Sequence, residues 1–326
     1  MNLDQQILTA LHAAGAVGVS GAELSQRLAV SRAAIWARIE ELRTLGYEIE
    51  ASPHRGYRLR GVPDVLHADD LLSRLGKTRV IGRDIRVFQE TSSTNDVIEK
   101  LARDGAPEGV VVFAETQSKG RGRLGRKWLS PAGRGLWFSV LLRPNLRPQA
   151  ATQMTIATAV AVARAIRQQT GLHPGIKWPN DILIQGRKTA GILTELSAEL
   201  DHIKYLVLGI GVDVNVAPAE FPADLRKLAT SLRTESGRVH NRADVAVAIL
   251  RALDDDYARI TAGHFEAVAN EWAEHCTTLG QPVTIHIGDR RIHGRAEALD
   301  EDGALLLRTE HGRLERIIGG DVLMEK

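Results

Sequence analysis

Residues 117–131, QSKGRGRLGRKWLSP, hold five basic residues, three glycines and no acid. No other stretch restricts the possible folds of this chain as much. Gly120–Gly125 fits G-x-G-x-x-G, the spacing of a dinucleotide-binding turn, which must run straight into a helix whose N-terminus faces a pyrophosphate. Trp128, Leu129, Ser130 and Pro131 follow instead, so no long helix can start. Nor does an acidic residue stand about twenty positions on to hold a ribose. The glycines need another reason. They permit positive φ and close backbone approach to a ligand, and they make the segment entropically costly to order. Its crowded cations repel one another unless an anion sits among them. The expectation is a mobile loop that closes over a phosphate-bearing ligand, with guanidinium forks on the oxygens and Trp128 packed on an aromatic base. An exposed arginine–glycine segment for nucleic acid is the alternative.

The surrounding charge map points the same way. From Thr116 to Asn180 there is no Asp or Glu and there are eleven Lys or Arg, while the rest of the chain holds 31 basic and 40 acidic residues. The overall charge of +2 hides this polarity, which suits an anionic ligand held by the middle of the chain. Arg164 and Arg167 fall on an apparent helix and read as decoration of its surface. A single cysteine, Cys276, excludes a disulfide framework and favours a cytoplasmic protein. No Cys/His spacing suggests zinc. The N-terminal MNLDQQIL has no signal-peptide character, and the most apolar run, IATAVAVARAI, is too short to span a bilayer and carries Arg164.

The 326 residues suggest two or three domains. Leu3, Ile7, Leu8 and Leu11 have helical spacing. Ser20 or Gly21 caps a second helix and Ser31 a third, whose apolar face is Ile35, Ile39 and Leu42, with Gly46 at its end. YEIEAS-PHRG-YRLRG reads as strand, turn, strand. Val62–Pro63 is a plausible linker. Strands are expected at 79–90, 109–116, 135–144 and 204–216, and helices around 96–104, 148–171, 241–261 and 264–275. From Leu279, short alternating runs broken by Gly-Asp and Asp-Gly suggest a small closed sheet.

GRGRLGRKW, followed by KWPNDI (Lys177–Ile182) and GRKTAGILTE (Gly186–Glu195), resembles the biotin–protein ligases. ETSSTND (Glu90–Asp96) and GIGVDVN (Gly209–Asn215) match further segments of that family, so the resemblance covers nearly the whole chain. It implies an α+β multidomain protein: a winged helix-turn-helix over residues 1–62, a mixed α/β ligase domain over 63–278 and an SH3-like β-barrel over 279–326. It also implies a biotin–[acetyl-CoA-carboxylase] ligase of the bacterial type that represses the biotin operon. In that reaction the biotin carboxylate attacks the α-phosphorus of ATP, giving biotinyl-5′-AMP. A lysine of biotin carboxyl carrier protein then displaces AMP. Neither step needs a protein nucleophile, which accords with a site rich in cations.

By the same resemblance Ser93, Thr94, Asn95 and Gln117 bind biotin, whose neutral ureido ring suits hydroxyl and amide groups. Local sequence alone also allows Ser93 or Thr94 to be a helix N-cap. Arg121, Gly122 and Arg123 close over the acyl-phosphate. Lys188 stabilises charge on the α-phosphate, although it also reads as an exposed hairpin residue. Gly191 lets the backbone approach biotin. Asn180 and Asp181 orient the acceptor amine or help hold Mg²⁺. Trp128 and Asn215 touch the nucleotide. Biotin and MgATP are thus substrates, and no residues are assigned to a resident metal. Leu124 stands where the family often has a further Arg in the loop.

Trihelical winged modules place the third helix in the DNA major groove. Here Ser31, Arg32, Trp36 and Arg38 would reach DNA, with His54 and Arg55 in the wing. Residues 1–62 hold seven Arg against six acidic residues, a thin electrostatic footprint. Operator binding therefore implies a ligand-promoted homodimer. Two readings stay open beside the bifunctional one: a ligase whose DNA module is inactive, and a ligand-responsive repressor without enzymatic activity.

Overall fold

The computed structural model describes residues 2–53 and 55–324; His54, placed in the wing above, lies outside them. The chain divides into two compact units, Met1–Lys77 with Asn241–Val247, and Thr78–His240 with Ala248–Lys326.

In the first unit, helices α1 (Leu3–Ala14), α2 (Gly21–Leu28) and α3 (Arg32–Thr44) precede strands β1 (Glu48–Ser52) and β2 (Gly56–Gly61), an antiparallel hairpin. Each helix starts on a side-chain cap: Asn2, Ser20 and Ser31 accept from the backbone N–H groups of Gln5, Glu23 and Ala34. The apolar faces seen in the sequence meet as one core, with Ile7, Leu8, Leu11, Leu24, Ile35, Ile39 and Leu42 buried together. Tyr57 and Val19 exchange backbone bonds of 2.8 and 2.9 Å, pinning the hairpin to the α1–α2 connection. Gly56 lies against Val19 there at φ +67°, so both space and backbone angle demand glycine.

A further helix, α4 (Ala68–Leu75), follows residues that read only as a linker. Asp70, buried on α4, accepts from Arg74 Nε at 2.8 Å and lies 2.9 Å from His12 Nε2 on α1. With eight residues and no side-chain cap, such a helix depends on these tertiary contacts rather than on local propensity.

The second unit is built on a seven-stranded sheet. Its strands are β3 (Asp84–Thr91), β4 (Val110–Gln117), β5 (Leu136–Leu142), β6 (Gly175–Lys177), β7 (Asp181–Ile184), β8 (Arg187–Ala198) and β9 (Ile203–Val212), in spatial order β3-β4-β5-β9-β8-β7-β6. Only β3 and β4 are parallel, joined through α5 (Thr94–Arg103); all other pairs are antiparallel. Helices α6 (Ala151–Thr170), α7 (Leu232–Ser236) and α9 (Phe265–His275) complete this unit together with α8 (Arg242–Thr261) from Ala248 onward.

Helix α6 is buried along much of its length. Its Arg164 is not surface decoration: it pairs with Glu271 on α9 at 2.6 Å and with the buried Asp256 on α8 at 3.3 Å. Arg167 is exposed, 3.3 Å from the His275 ring.

The strand expected from residue 79 begins only at Asp84. Asp254 on α8 accepts the N–H groups of Arg79, Val80 and Ile81 at 2.7, 2.8 and 2.8 Å, which holds that segment as a turn. Asp254→Ala strands three donors and should lower stability by about 2–3 kcal/mol, read as a urea midpoint shift at constant m-value.

The C-terminal strands β10 (Pro282–Ile287), β11 (Arg290–Leu299), β12 (Leu305–Thr309), β13 (Leu314–Ile317) and β14 (Asp321–Met324) form an antiparallel sheet of order β13-β12-β11-β10-β14. The expected closed barrel is not formed by this pairing. After Gly319 and Gly320 the chain crosses to β10, and no ladder joins β13 to β14 among the described residues. No helix among them is long and apolar enough to cross a membrane.

Candidate active site

A cavity of about 470 Å³ opens in the second unit between the sheet, the basic loop and β14. At one end neutral groups are knitted together. Ser93 occupies the N-cap position of α5, yet its side chain caps nothing. Gln117 Oε1 takes the Thr94 N–H at 2.8 Å, and Gln117 Nε2 donates to Ser130 Oγ at 3.0 Å. Thr94 Oγ1 lies 2.7 Å from Ser139 Oγ, which donates to Asn95 Oδ1 at 2.5 Å. Asn95 Nδ2 donates to Glu195 Oε2 at 2.6 Å. Ser93, Thr94 and Asn95 are buried, and these three and Gln117 all line the cavity. The turn entering α5 thus presents amides and hydroxyls rather than ending a helix.

The basic loop is a tight hairpin. Gly122 N–H donates to Arg126 O at 2.7 Å and Trp128 N–H to Gly120 O at 2.9 Å. Between them lies one 3₁₀ turn, Arg123–Gly125, with Leu124 at φ +56° and its side chain exposed. Two of its three guanidinium groups meet carboxylates from outside the acid-free block. Arg121 pairs with Asp96 and, at 3.1 Å, with Glu195. Arg126 donates to Asp321 at 2.9 Å. Arg123 donates to Asn180 Oδ1 at 3.0 Å and to Gly320 O at 3.4 Å. For Arg121 and Arg126 the repulsion expected of crowded cations is therefore offset by the chain's own carboxylates. Burial works against the Arg121 charge, but Glu195 and Asp96 outweigh it and its pKa lies above the usual arginine value. Arg123, with no carboxylate in contact, is held below that value by burial.

At the other end, Lys188 near the start of β8 places Nζ 2.6 Å from Asp181 Oδ1 and 5.3 Å from the centre of the Trp128 ring. It belongs to a hairpin, as the sequence allowed, but is only one-third exposed and lines the cavity. Asn180 is tied to β8 by two bonds with Ile192, 2.8 Å from its side-chain amide and 3.0 Å at its carbonyl. Gly191 and Gly211 are cross-strand partners, and both lie under the indole of Trp128. A Cβ on Gly191 would stand 2.8 Å from the ring, and one on Gly211 within 2.6 Å of Nε1. Gly191 therefore makes room for Trp128 and for Lys188, whose Nζ would be 3.2 Å away.

Asn215 is not part of this lining. Its amide donates to His240 O at 2.8 Å and accepts from His240 N–H at 3.0 Å, clamping a buried connection. Two residues earlier, Asp213 is the group the sequence did not single out. It is buried, lines the cavity and accepts no hydrogen bond through its side chain among the described residues. Burial pushes its carboxyl well above the usual range, with nearby Lys188 pulling the other way.

Between the unfolded and folded pKa values the folded chain holds the extra proton. Stability from this group is present below about pH 4 and is lost as pH rises. Asp213→Asn removes that loss. Its urea midpoint should exceed the parent's at about pH 7.5 and converge with it below about pH 4.

Asp96, Glu195 and Asp321 also escaped the sequence reading as site residues. Asp96 and Glu195 sit inside the quoted motifs, where an acid near a cationic loop was the available signal. Asp321, 195 positions from its partner, gave none. Among the described residues no three His, Cys, Asp or Glu side chains converge as a metal cage. The carboxylates of Asp181 and Asp213 are the acidic lining beside Lys188, and one or two carboxylates are what Mg²⁺ commonly takes beside substrate phosphates.

In the first unit, Arg32, Trp36 and Arg55 are exposed, and Ser31 caps α3 through its hydroxyl. Arg38 departs from its expected role. It is turned toward α1 and α3 carboxylates, pairing with Asp4 and with Glu41, so its fork is occupied by protein.

Residues 87–214 match the Biotin/lipoate A/B protein ligase family, residues 4–58 an HTH domain, and residues 278–324 the Biotin protein ligase C terminal domain. The chain is 38% identical over 320 residues to the Bifunctional ligase/repressor BirA of Bacillus subtilis (strain 168), covering 98% of both chains. It is 31% identical to the protein of that name from Escherichia coli (strain K12), over 93% of this chain and 92% of that one. Among solved structures, the biotin protein ligase from Aquifex aeolicus in complex with biotin and ATP superposes with a TM-score of 0.64 at 31% identity, covering 75% of this chain and 99% of that one. Three matched segments in the expected order, and full-length relatives at this identity, place the chain in the biotin protein ligase family, in the branch that carries an N-terminal helix-turn-helix domain.

Proposed function

We propose that this protein uses ATP to convert biotin to biotinyl-5′-AMP and transfers the biotinyl group to a lysine of biotin carboxyl carrier protein, and that its N-terminal unit represses biotin synthesis genes. One observation carries the reading: Lys188, Arg121 and Arg123 converge on a single cavity whose far end is neutral amide and hydroxyl. The neutral end suits an uncharged ureido ring, and the cationic end suits a carboxylate and an α-phosphate brought together. The cavity lining contains no His or Cys, in keeping with direct attack by one substrate on the other. The attacking carboxylate oxygen forms the bond to phosphorus, and the electron pair leaves with pyrophosphate. The acceptor amine then adds to the acyl carbon and AMP departs.

In this reading Ser93, Thr94, Asn95 and Gln117 hold biotin, and Arg121, Gly122 and Arg123 cover the acyl-phosphate. Lys188 bears on the α-phosphate. Trp128 and Asn180 flank the adenylate. Asp181 orients the acceptor amine or carries the Mg²⁺ that enters with ATP. The DNA-binding, ligase and SH3-like portions are taken as 1–62, 63–278 and 279–326, in a cytoplasmic protein. Strand β7 pairs with β8 only as far as Gly191, leaving the outer edge of β8 from Leu193 to Ala198 without a strand partner among the described residues. Such an edge is a template for another chain. We place the ligand-promoted homodimer there, with the carrier protein competing for it.

The test is mass spectrometry of the purified protein after incubation with biotin and MgATP, followed by addition of a carrier domain. Retained biotinyl-5′-AMP and a biotinylated carrier lysine are expected. Absence of biotin-dependent pyrophosphate release would leave a ligand-responsive repressor in its place.

A further inference from the structure

The outward face of α3 offers few groups that can read a base by hydrogen bonding. Arg32, Ala33, Trp36 and Ala37 are exposed along it, and Trp36 is 58% exposed. The polar neighbours are engaged elsewhere: Ser31 caps Ala34, Arg38 pairs with Asp4 and Glu41, and Glu40 pairs with Arg43. By helical spacing the neighbours of Trp36 are Arg32, Ala33, Ile39 and Glu40; Ile39 is buried and Glu40 pairs with Arg43, so the exposed apolar group next to the indole is Ala33.

The arginines of this unit divide into two sets. Arg38, Arg43 and Arg60 are paired with carboxylates. Arg27, Arg32, Arg55 and Arg58 make no ion pair among the described residues; Arg27 lies on α2, Arg32 begins α3, and Arg55 and Arg58 belong to the hairpin. Free cations thus border an apolar centre.

In the major groove guanine is read by Arg or Lys, adenine by Asn or Gln and cytosine by a carboxylate, whereas thymine presents a methyl group to apolar side chains. Apart from Arg32 at its N-terminal end, this face supplies only the last kind of reader. Resting on the repressor reading above, we propose that Trp36, with Ala33 one turn before it, reads thymine 5-methyl groups in the operator. The four unpaired arginines hold phosphates and set the register.

The experiment uses the full chain with biotin and MgATP. Duplexes are selected from a random-sequence pool, then resynthesised with deoxyuridine for thymidine, which removes only the methyl group. The parent should bind the uracil form about tenfold more weakly. Trp36→Ala should bind both forms alike, near the parent's affinity for the uracil form, while Trp36→Phe keeps part of the preference. Because Trp36 lies outside the buried core of this unit, unfolding curves should show the variants folded. Arg55→Ala should instead weaken both forms equally and lower the salt slope by about one. Equal binding of both forms by the parent, or discrimination surviving in Trp36→Ala, overturns the inference and leaves DNA binding intact. Recovery of no specific duplex removes the repressor reading and the inference with it.

Discussion

Lys188→Ala should slow formation of biotinyl-5′-AMP by roughly a thousandfold, the scale lost when one positioned donor to a developing oxyanion is deleted. The ammonium lies in a half-buried corner, 2.6 Å from Asp181 and over the Trp128 ring. Its removal does more than subtract one attraction. Asp181 loses its ion-pair partner, and the buried Asp213 loses the nearby charge that favours its ionised form. Two anionic substrates would then approach Asp181 and Asp213 without the ammonium beside them, leaving the loop arginines as the cations facing the phosphate. Lys188→Arg should rescue little, because the Lys188 chain lies so close over Gly191 that a Cβ there would be 3.1 Å from its Cε, and a planar guanidinium is bulkier. Pyrophosphate release in a single turnover reads the step directly. Folding should be almost unaffected, since the pair is partly solvated and such pairs contribute little. A loss smaller than about tenfold with an unchanged unfolding midpoint removes Lys188 from the charge-stabilising role.

Much of this corner was legible in the sequence because its motifs are short and chemically unusual. Glycines among arginines exclude a helix, and Ser31, Ile35 and Ile39 specify a capped helix with one buried face. What stayed hidden depends on partners far along the chain. Asp254 turns residues 79–81 away from strand pairing through three backbone bonds. Arg126 meets Asp321 across 195 positions. Helix α4 exists by its contacts with α1. Asn215 sits in a matching segment, but the chain bends after β9 so that its amide serves His240. Residue type told what each group can do; only the packing decided for which partner.

Gly211→Ala should be nearly as damaging as loss of Lys188, although Gly211 bears no functional group. A methyl there would press on the Trp128 ring, with Cζ2 and Nε1 each 2.6 Å away. The strand cannot recoil, because Gly211 is paired with Trp137 on one side and Gly191 on the other. The indole must lift. The backbone N–H of the same residue donates to Gly120 O at 2.9 Å, so a shift of Trp128 disturbs the base of the basic loop and misplaces Arg121 and Arg123. Misplacement of reacting groups by about 1 Å costs about 100-fold in rate, and overpacking costs about 1–3 kcal/mol of stability. The cause is separable by a double-mutant cycle. In a Trp128→Ala background the ring is gone, and adding Gly211→Ala should cost almost nothing further in pyrophosphate release or in unfolding midpoint. If the two substitutions instead add in full, the glycine serves the strand rather than the tryptophan. The loop would then draw its position from the Asp96, Glu195 and Asp321 ion pairs and from the Arg123 bonds to Asn180 and Gly320.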